Sequence, residues 1–181
     1  MLDAARECFA KDGLDAQMDD IARRAKVGVG TVYRHFPTKQ ALAEAIADDH
    51  FDRLAASARE ALSTPDAWEG FSAFLRNSAQ VQAGDRALAE VMAAEPEVMC
   101  DAANRRPDLH AALAELVGRA QEAGALRRDL VPADVPMLIC GVGRATLAGS
   151  AGPTMSTSRY LEIVLDGLRA PGSAELPDRP G

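Results

Sequence analysis

The chain has 181 residues, a formal net charge of −7, and 48% hydrophobic but only 4% aromatic residues. That length suffices for one large domain or two small helical ones, and abundant alanine favours helices packed through Leu, Val, Ile and Ala over an aromatic-rich β-sandwich. No apolar run approaches the ~18–20 residues that span a bilayer, and no charged-then-apolar leader opens the chain. Cys8, Cys100 and Cys140 are odd in number and widely spaced, which favours a reducing cytoplasm over a disulfide framework or a zinc site.

Leu2, Ala5 and Phe9 recur at helical spacing and predict a short amphipathic helix that stops at Gly13. Met18, Ile21, Ala22 and Ala25 trace a second helical face over about ten residues. After a break at Lys26-Val27-Gly28, Val29, Val32, Tyr33 and Phe36 trace a third. Pro37 ends it and Thr38 can cap the next, which runs from Lys39 to about Leu62, roughly 36 Å at 1.5 Å per residue. Ser63-Thr64-Pro65-Asp66 marks a boundary, with Thr64 as N-cap, Pro65 at the first helical position and Asp66 in the first turn. Further helices are predicted at about 66–83, 85–95, 107–124, 132–150 and 154–170, with Asp85, Pro107 and Asp134 at or near their starts. The tail from Pro171 to Gly181 is rich in Pro, Gly and charge and is expected to be disordered. The fold class is all-α, with no internal repeat.

The segment Met18–Lys39 reads as a helix-turn-helix. Ile21, Ala22 and Ala25 are placed to pack against Val29, Val32 and Phe36 across a tight turn, leaving Thr31, Tyr33, Arg34 and His35 to project outward. Gly28 and Gly30 let backbone N–H groups at the start of the second helix approach a phosphate. Charge agrees with that reading. From Ile21 to Ala43 there is no acidic residue, while Arg23, Arg24, Lys26, Arg34 and Lys39 supply five positive charges, so the remainder carries −12. A basic island on an acidic body suits local contact with DNA, because phosphate binding answers to local potential.

The string Gly30-Thr-Val-Tyr-Arg-His-Phe36, followed by Lys39 and Leu42 and preceded by Ile21-Ala22, resembles the signature of the tetracycline-repressor (TetR) family. The likeness is strong over residues 1 to about 50; beyond that only the helical layout and length agree. By position, it implies phosphate contacts from Thr31, Tyr33, His35 and Lys39. It places Gly28, Val29 and Gly30 at the start of the recognition helix, where base edges are met. These three are small and apolar, able to touch thymine methyls but not to make bidentate base contacts; base choice then leans on Arg34, Thr31 and DNA shape. Two departures stand out. Lys26 occupies a turn position where the family often has Gly, and a left-handed backbone there carries strain of about 1 kcal/mol. Gln17 replaces the usual Thr cap of the second helix.

The resemblance implies an N-terminal three-helix head, residues 1–50, joined by the long helix to a C-terminal ligand-binding and dimerisation domain, residues 51–170, ahead of a tail at 171–181. Past the linker, Trp68, Phe71, Phe74, Leu75, Met92, Met99 and Met137 concentrate aromatic and methionine side chains. Either they form a packed core or they line a chamber for a largely apolar small-molecule effector. The resemblance favours the chamber, lined by Phe71, Phe74, Leu75, Met92 and Met137. Arg76, Asn77, Gln82 and Asn104 are candidate polar contacts, and Trp68 a candidate reporter of occupancy. Residues 160–168 are apolar on more than one helix face, and Gly141, Gly143, Ala145, Ala148 and Gly149 permit close helix approach. In the family, the last two helices of each subunit form the dimer bundle, which points to Leu161, Val164, Leu165 and Leu168 as interface residues.

His35, His50 and His110 do not stand at metal-ligand spacing and read as ordinary surface or contact residues. No Ser-His-Asp order, phosphate loop or nucleotide fingerprint appears, and Asp48-Asp49 reads as a solvated helix face, so no enzyme, cofactor or metal is expected. The expected function is a homodimeric regulator that binds double-stranded operator DNA and answers to a small molecule. One rival is a regulator that senses oxidation through Cys100 or Cys140. Another is a ligand-binding helical protein whose DNA heads have lapsed.

Overall fold

The computed structural model describes residues 1–94, 99, 106–147, 157–170 and 176, and among these there are nine α-helices. They are α1 (Leu2–Asp12), α2 (Met18–Ala25), α3 (Val29–His35), α4 (Lys39–Ala61), α5 (Ala67–Gly84), α6 (Arg86–Ala94), α7 (Pro107–Glu122), α8 (Asp134–Leu147) and α9 (Thr157–Leu168), with a 3-10 turn at Gly13–Asp15. The expected tail at 171–181 falls, apart from Leu176, outside the described residues, as do Cys100, Asn104, Ala148 and Gly149.

Local chemistry sets most boundaries. Gly13 ends α1 at φ 62, a left-handed conformation open to glycine at little cost. Thr38 Oγ1 accepts the Ala41 N–H at 3.0 Å and so caps α4. Asp85 does the same for α6, accepting the Leu88 N–H at 3.0 Å. At α5 the cap is Asp66, which accepts the Glu69 N–H at 2.8 Å, rather than Thr64 as the sequence suggests. The helix begins at Ala67 because the Thr64 and Pro65 carbonyls, with that of Leu62, are held by the Arg119 guanidinium at 2.6–2.7 Å.

The chain divides into two compact units. The first comprises Met1–Arg53 and Gly84–Arg106. In it α1 lies between α2 and α6, with Phe9, Ile21, Val32, Leu42 and Ile46 fully buried. Arg6 of α1 ties the pieces together, pairing with Asp85 and, at 2.6 Å, with Asp49 of α4. Arg106, where the unit ends, pairs with Asp52 and with Asp48 at 3.1 Å. Asp48 and Asp49, expected on a solvated face, thus each bind an arginine. Residues 84–106 come from the stretch assigned by sequence to the C-terminal domain; they join the first unit because α1 packs against α6.

The second unit comprises Leu54–Ala83 and Pro107–Gly181. Its core is built from Phe71, Phe74 and Leu75 of α5, Leu109, Leu113, Leu116 and Val117 of α7, Val135, Ile139 and Val142 of α8, and Leu161, Leu165 and Leu168 of α9. The segment after α7 clips the end of α9: Arg127 N–H donates to the Leu168 carbonyl and Ala170 N–H to that of Ala125, around an isolated Leu126–Arg169 bridge. No described helix is long and apolar enough to cross a membrane.

Candidate nucleic-acid interface and effector region

The helix-turn-helix core forms as its periodicity requires, with Ile21, Ala22 and Val32 buried where α2 meets α3. Ala25 and Phe36 are half-buried there, and Val29 departs furthest. Expected in that packing and also at the groove, it is 40% exposed on the first turn of α3. Gly28 and Gly30 are exposed beside Val29, Tyr33 is 49% exposed, and Arg34 and His35 are exposed; Thr31 is half-buried. The structure therefore brings Gly28, Val29, Gly30, Tyr33, Arg34 and His35 to the surface on one short helix and its cap.

Two of the five basic residues of this stretch are already paired. Arg23 binds Asp20 at 2.6 Å and Arg24 binds Glu7. Among the described residues, Lys26, Arg34 and Lys39 have no carboxylate partner. Lys39 Nζ donates to the Leu14 carbonyl at 3.0 Å, which ties the start of α4 to the turn after α1 and leaves two of its three N–H donors over. Lys26 ends α2 at φ 57 and ψ 39, the one non-glycine residue at positive φ among those described. This is the left-handed conformation to which the expected strain of about 1 kcal/mol belongs. Gln17 precedes α2 without capping it; its amide donates to the Asp15 carbonyl at 2.8 Å.

In the second unit, Phe71, Phe74 and Leu75 are buried on one face of α5, as expected for core or chamber residues. Ser78 and Gln82 continue that face and are also buried, and Ser78 Oγ has no hydrogen-bond partner among the described residues. Of the polar candidates among the described residues, Asn77 is exposed, Arg76 is bound to Glu162 at 2.7 Å, and Gln82 shares the buried face. Two residues expected at the chamber stand apart from this face. Met137 is 69% exposed on α8, because Val135, Ile139 and Val142 occupy the inward positions of that helix. Met92 is half-buried on α6 and belongs to the first unit. Trp68 is half-buried under the Arg169 guanidinium, 4.4 Å from its ring centroid.

The residues expected at the dimer interface are placed as follows. Leu161, Leu165 and Leu168 share one face of α9 and are buried within their own chain. The apolar residue left outward is Ile163, 56% exposed, with Val164 half-buried and Gly167 exposed. Gly141 of α8 is exposed; the side chains of Gly143 and Ala145 lie outside the described residues. His50 is not a surface residue: it is 6% exposed on α4, edge-on to Phe51. Cys8 is buried and its thiol pushed up by that burial, and Cys140 is half-buried.

An exposed basic helix carried on a buried helix-turn-helix core, with a separate helical unit behind it in sequence, defines a DNA-binding transcription regulator. Known proteins agree. Residues 1–46 match the family of bacterial regulatory proteins described as tetR, and residues 65–170 match the C-terminal domain of SbtR-like transcriptional regulators. The chain is 30% identical to the HTH-type transcriptional repressor Rv1474c of Mycobacterium tuberculosis, over 99% of this chain and 84% of that one. Its fold matches a TetR transcription regulatory protein from Mycobacterium vanbaalenii with TM-score 0.64 and 34% identity, covering 93% and 92% of the two chains. It also matches the TetR regulator SCO0520 of Streptomyces coelicolor with TM-score 0.66 and 31% identity, covering 96% and 97%. The chain belongs to the TetR family.

Proposed function

We propose that the protein is a ligand-responsive repressor that binds a palindromic operator as a homodimer, with its DNA-binding head in residues 1–50 and its effector and dimer surfaces in residues 51–170. The observation that carries the reading is the exposure of Val29, Tyr33, Arg34 and His35 on α3, with no carboxylate paired to Arg34 among the described residues. Tyr33, His35, Thr31 and Lys39 serve the phosphates, which fix position and affinity; Arg34, with Val29 and the flanking Gly28 and Gly30, meets base edges. A repressor role is supported by the relative named as one.

Two heads of a dimer must meet half-sites about 34–36 Å apart, or a multiple of that. A shift of each head then abolishes the simultaneous fit, which is how an effector bound in the second unit releases DNA. The effector is a small, largely apolar molecule held against Phe71, Phe74 and Leu75, with the Ser78 hydroxyl beside them for a hydrogen-bonding group on it. The dimer surface is the outward face of α8 and α9, with Ile163, Val164 and Met137, since a solvated helix has no use for those side chains.

The test begins with selection of bound fragments from genomic DNA, followed by binding of the variants to the selected operator and a scrambled duplex over a salt series. Arg34→Ala should change which duplex is preferred. Lys39→Ala should weaken both alike and lower the salt slope by about one unit per subunit. An unchanged preference for the first and an unchanged slope for the second would remove the assigned roles. For the dimer, Ile163→Glu should sediment as a folded monomer. Leu165→Glu should instead unfold, because it places a charge in the core of its own chain. A dimer that survives Ile163→Glu places the interface elsewhere.

A further inference from the structure

Lys26 is an anomaly at the turn of the helix-turn-helix. Its φ of 57 and ψ of 39 put it in the left-handed region, where a side chain is a burden and glycine is not. The turn itself does not need lysine. What closes α2 is the Lys26 backbone N–H, which reaches the Ala22 and Arg23 carbonyls, and glycine would supply the same group. Nor does the side chain support the fold: it is exposed, and among the described residues it has neither a hydrogen bond nor an ion pair. Strain retained without a structural return points to a use outside the subunit.

Charge and reach indicate the use. Arg23 and Arg24, the other cations at the end of α2, are neutralised by Asp20 and Glu7. The ammonium of Lys26 is not. Lys26 stands two residues before Gly28, the cap of α3, so at about 3.8 Å per residue and with a stem of about 6 Å its ammonium lies near the end of the helix that would enter a groove. The atoms met there are backbone phosphates, and lysine suits them as a compact point charge with freely turning donors. We propose that Lys26 is a phosphate-contacting residue, holding the helix-turn-helix on DNA from the turn side while Lys39 holds it from the start of α4. The proposal rests on the DNA-binding role assigned to α3.

The experiment measures binding of the full chain to the selected operator and to a scrambled duplex across a salt series, for wild type, Lys26→Gly and Lys26→Arg, with thermal unfolding alongside. Lys26→Gly should raise Tm by about 2–4 °C through relief of the left-handed strain. It should bind both duplexes more weakly by the same factor, with the slope of log K against log salt shallower by about 0.9 per subunit. Lys26→Arg should keep the slope. A Lys26→Gly protein with wild-type affinity and slope would overturn the proposal, whichever way its Tm moves. A wild-type chain that shows no salt-dependent binding to either duplex would fail the α3 reading itself, an outcome visible before any variant is compared.

Discussion

Acidification should weaken the first unit through one side chain, His50. It is 6% exposed on α4, so the imidazolium would lose most of its hydration on folding. Burial is the main cause that lowers its pKa from 6.5 to about 4; Arg53 and Arg6 push the same way, while Asp85 and Asp49 oppose. The folded state therefore refuses a proton that the unfolded chain accepts. Above about pH 6.5 neither state carries it and stability is complete. As pH falls through the window between 6.5 and 4, the unfolded state gains the proton and folding loses about 1.4 kcal/mol per unit, approaching about 3 kcal/mol at the lower end. Urea unfolding followed by circular dichroism, at steps between about pH 7 and pH 5, covers the part of the window in which most carboxylates stay ionised. Wild type should lose stability steadily over that range, and His50→Gln, which cannot take up a proton, should lose much less. If the two proteins show the same pH dependence, His50 is not the group responsible, and burial does not hold it neutral.

Other consequences are local. A Cβ on Gly70 would stand 2.7 Å from the Ala61 carbonyl oxygen, so Gly70→Ala should cost about 1–3 kcal/mol in thermal unfolding. Gly118→Ala, in the middle of α7 with nothing within 4 Å, should instead stabilise by about 0.5–1 kcal/mol; equal effects from the two would contradict the packing described. Arg106→Ala removes the pairs with Asp48 and Asp52 and a 3.0 Å bond to the Asp48 carbonyl, and should cost about 1 kcal/mol, seen as faster amide exchange in α4 before Arg53. Arg169→Ala uncovers the single tryptophan, so acrylamide should quench Trp68 more efficiently; unchanged quenching would mean that the guanidinium does not shield the ring.

The sequence by itself determined what depends on neighbours a few residues away. The run of short helices, the stop at Gly13, the caps at Thr38 and Asp85, and the helix-turn-helix from Met18 to Lys39 all follow from 3.6-residue periodicity and from which residue can satisfy a helix end. The left-handed Lys26 was flagged only as the consequence of standing where the resembled family often has glycine. What only the tertiary structure decided is which of two apolar faces looks inward. On α9, Leu161, Leu165 and Leu168 are indistinguishable by type from Ile163, yet the first three are buried and the last is exposed. On α8, Met137 is as apolar as Ile139, and the two end on opposite sides. The burial of His50 and the attachment of α6 to α1 were equally hidden, since each depends on partners about 35 to 80 residues away in the chain. Periodicity reports that a helix has an apolar face; the choice of face belongs to the helices that pack against it, and no local pattern carries that information.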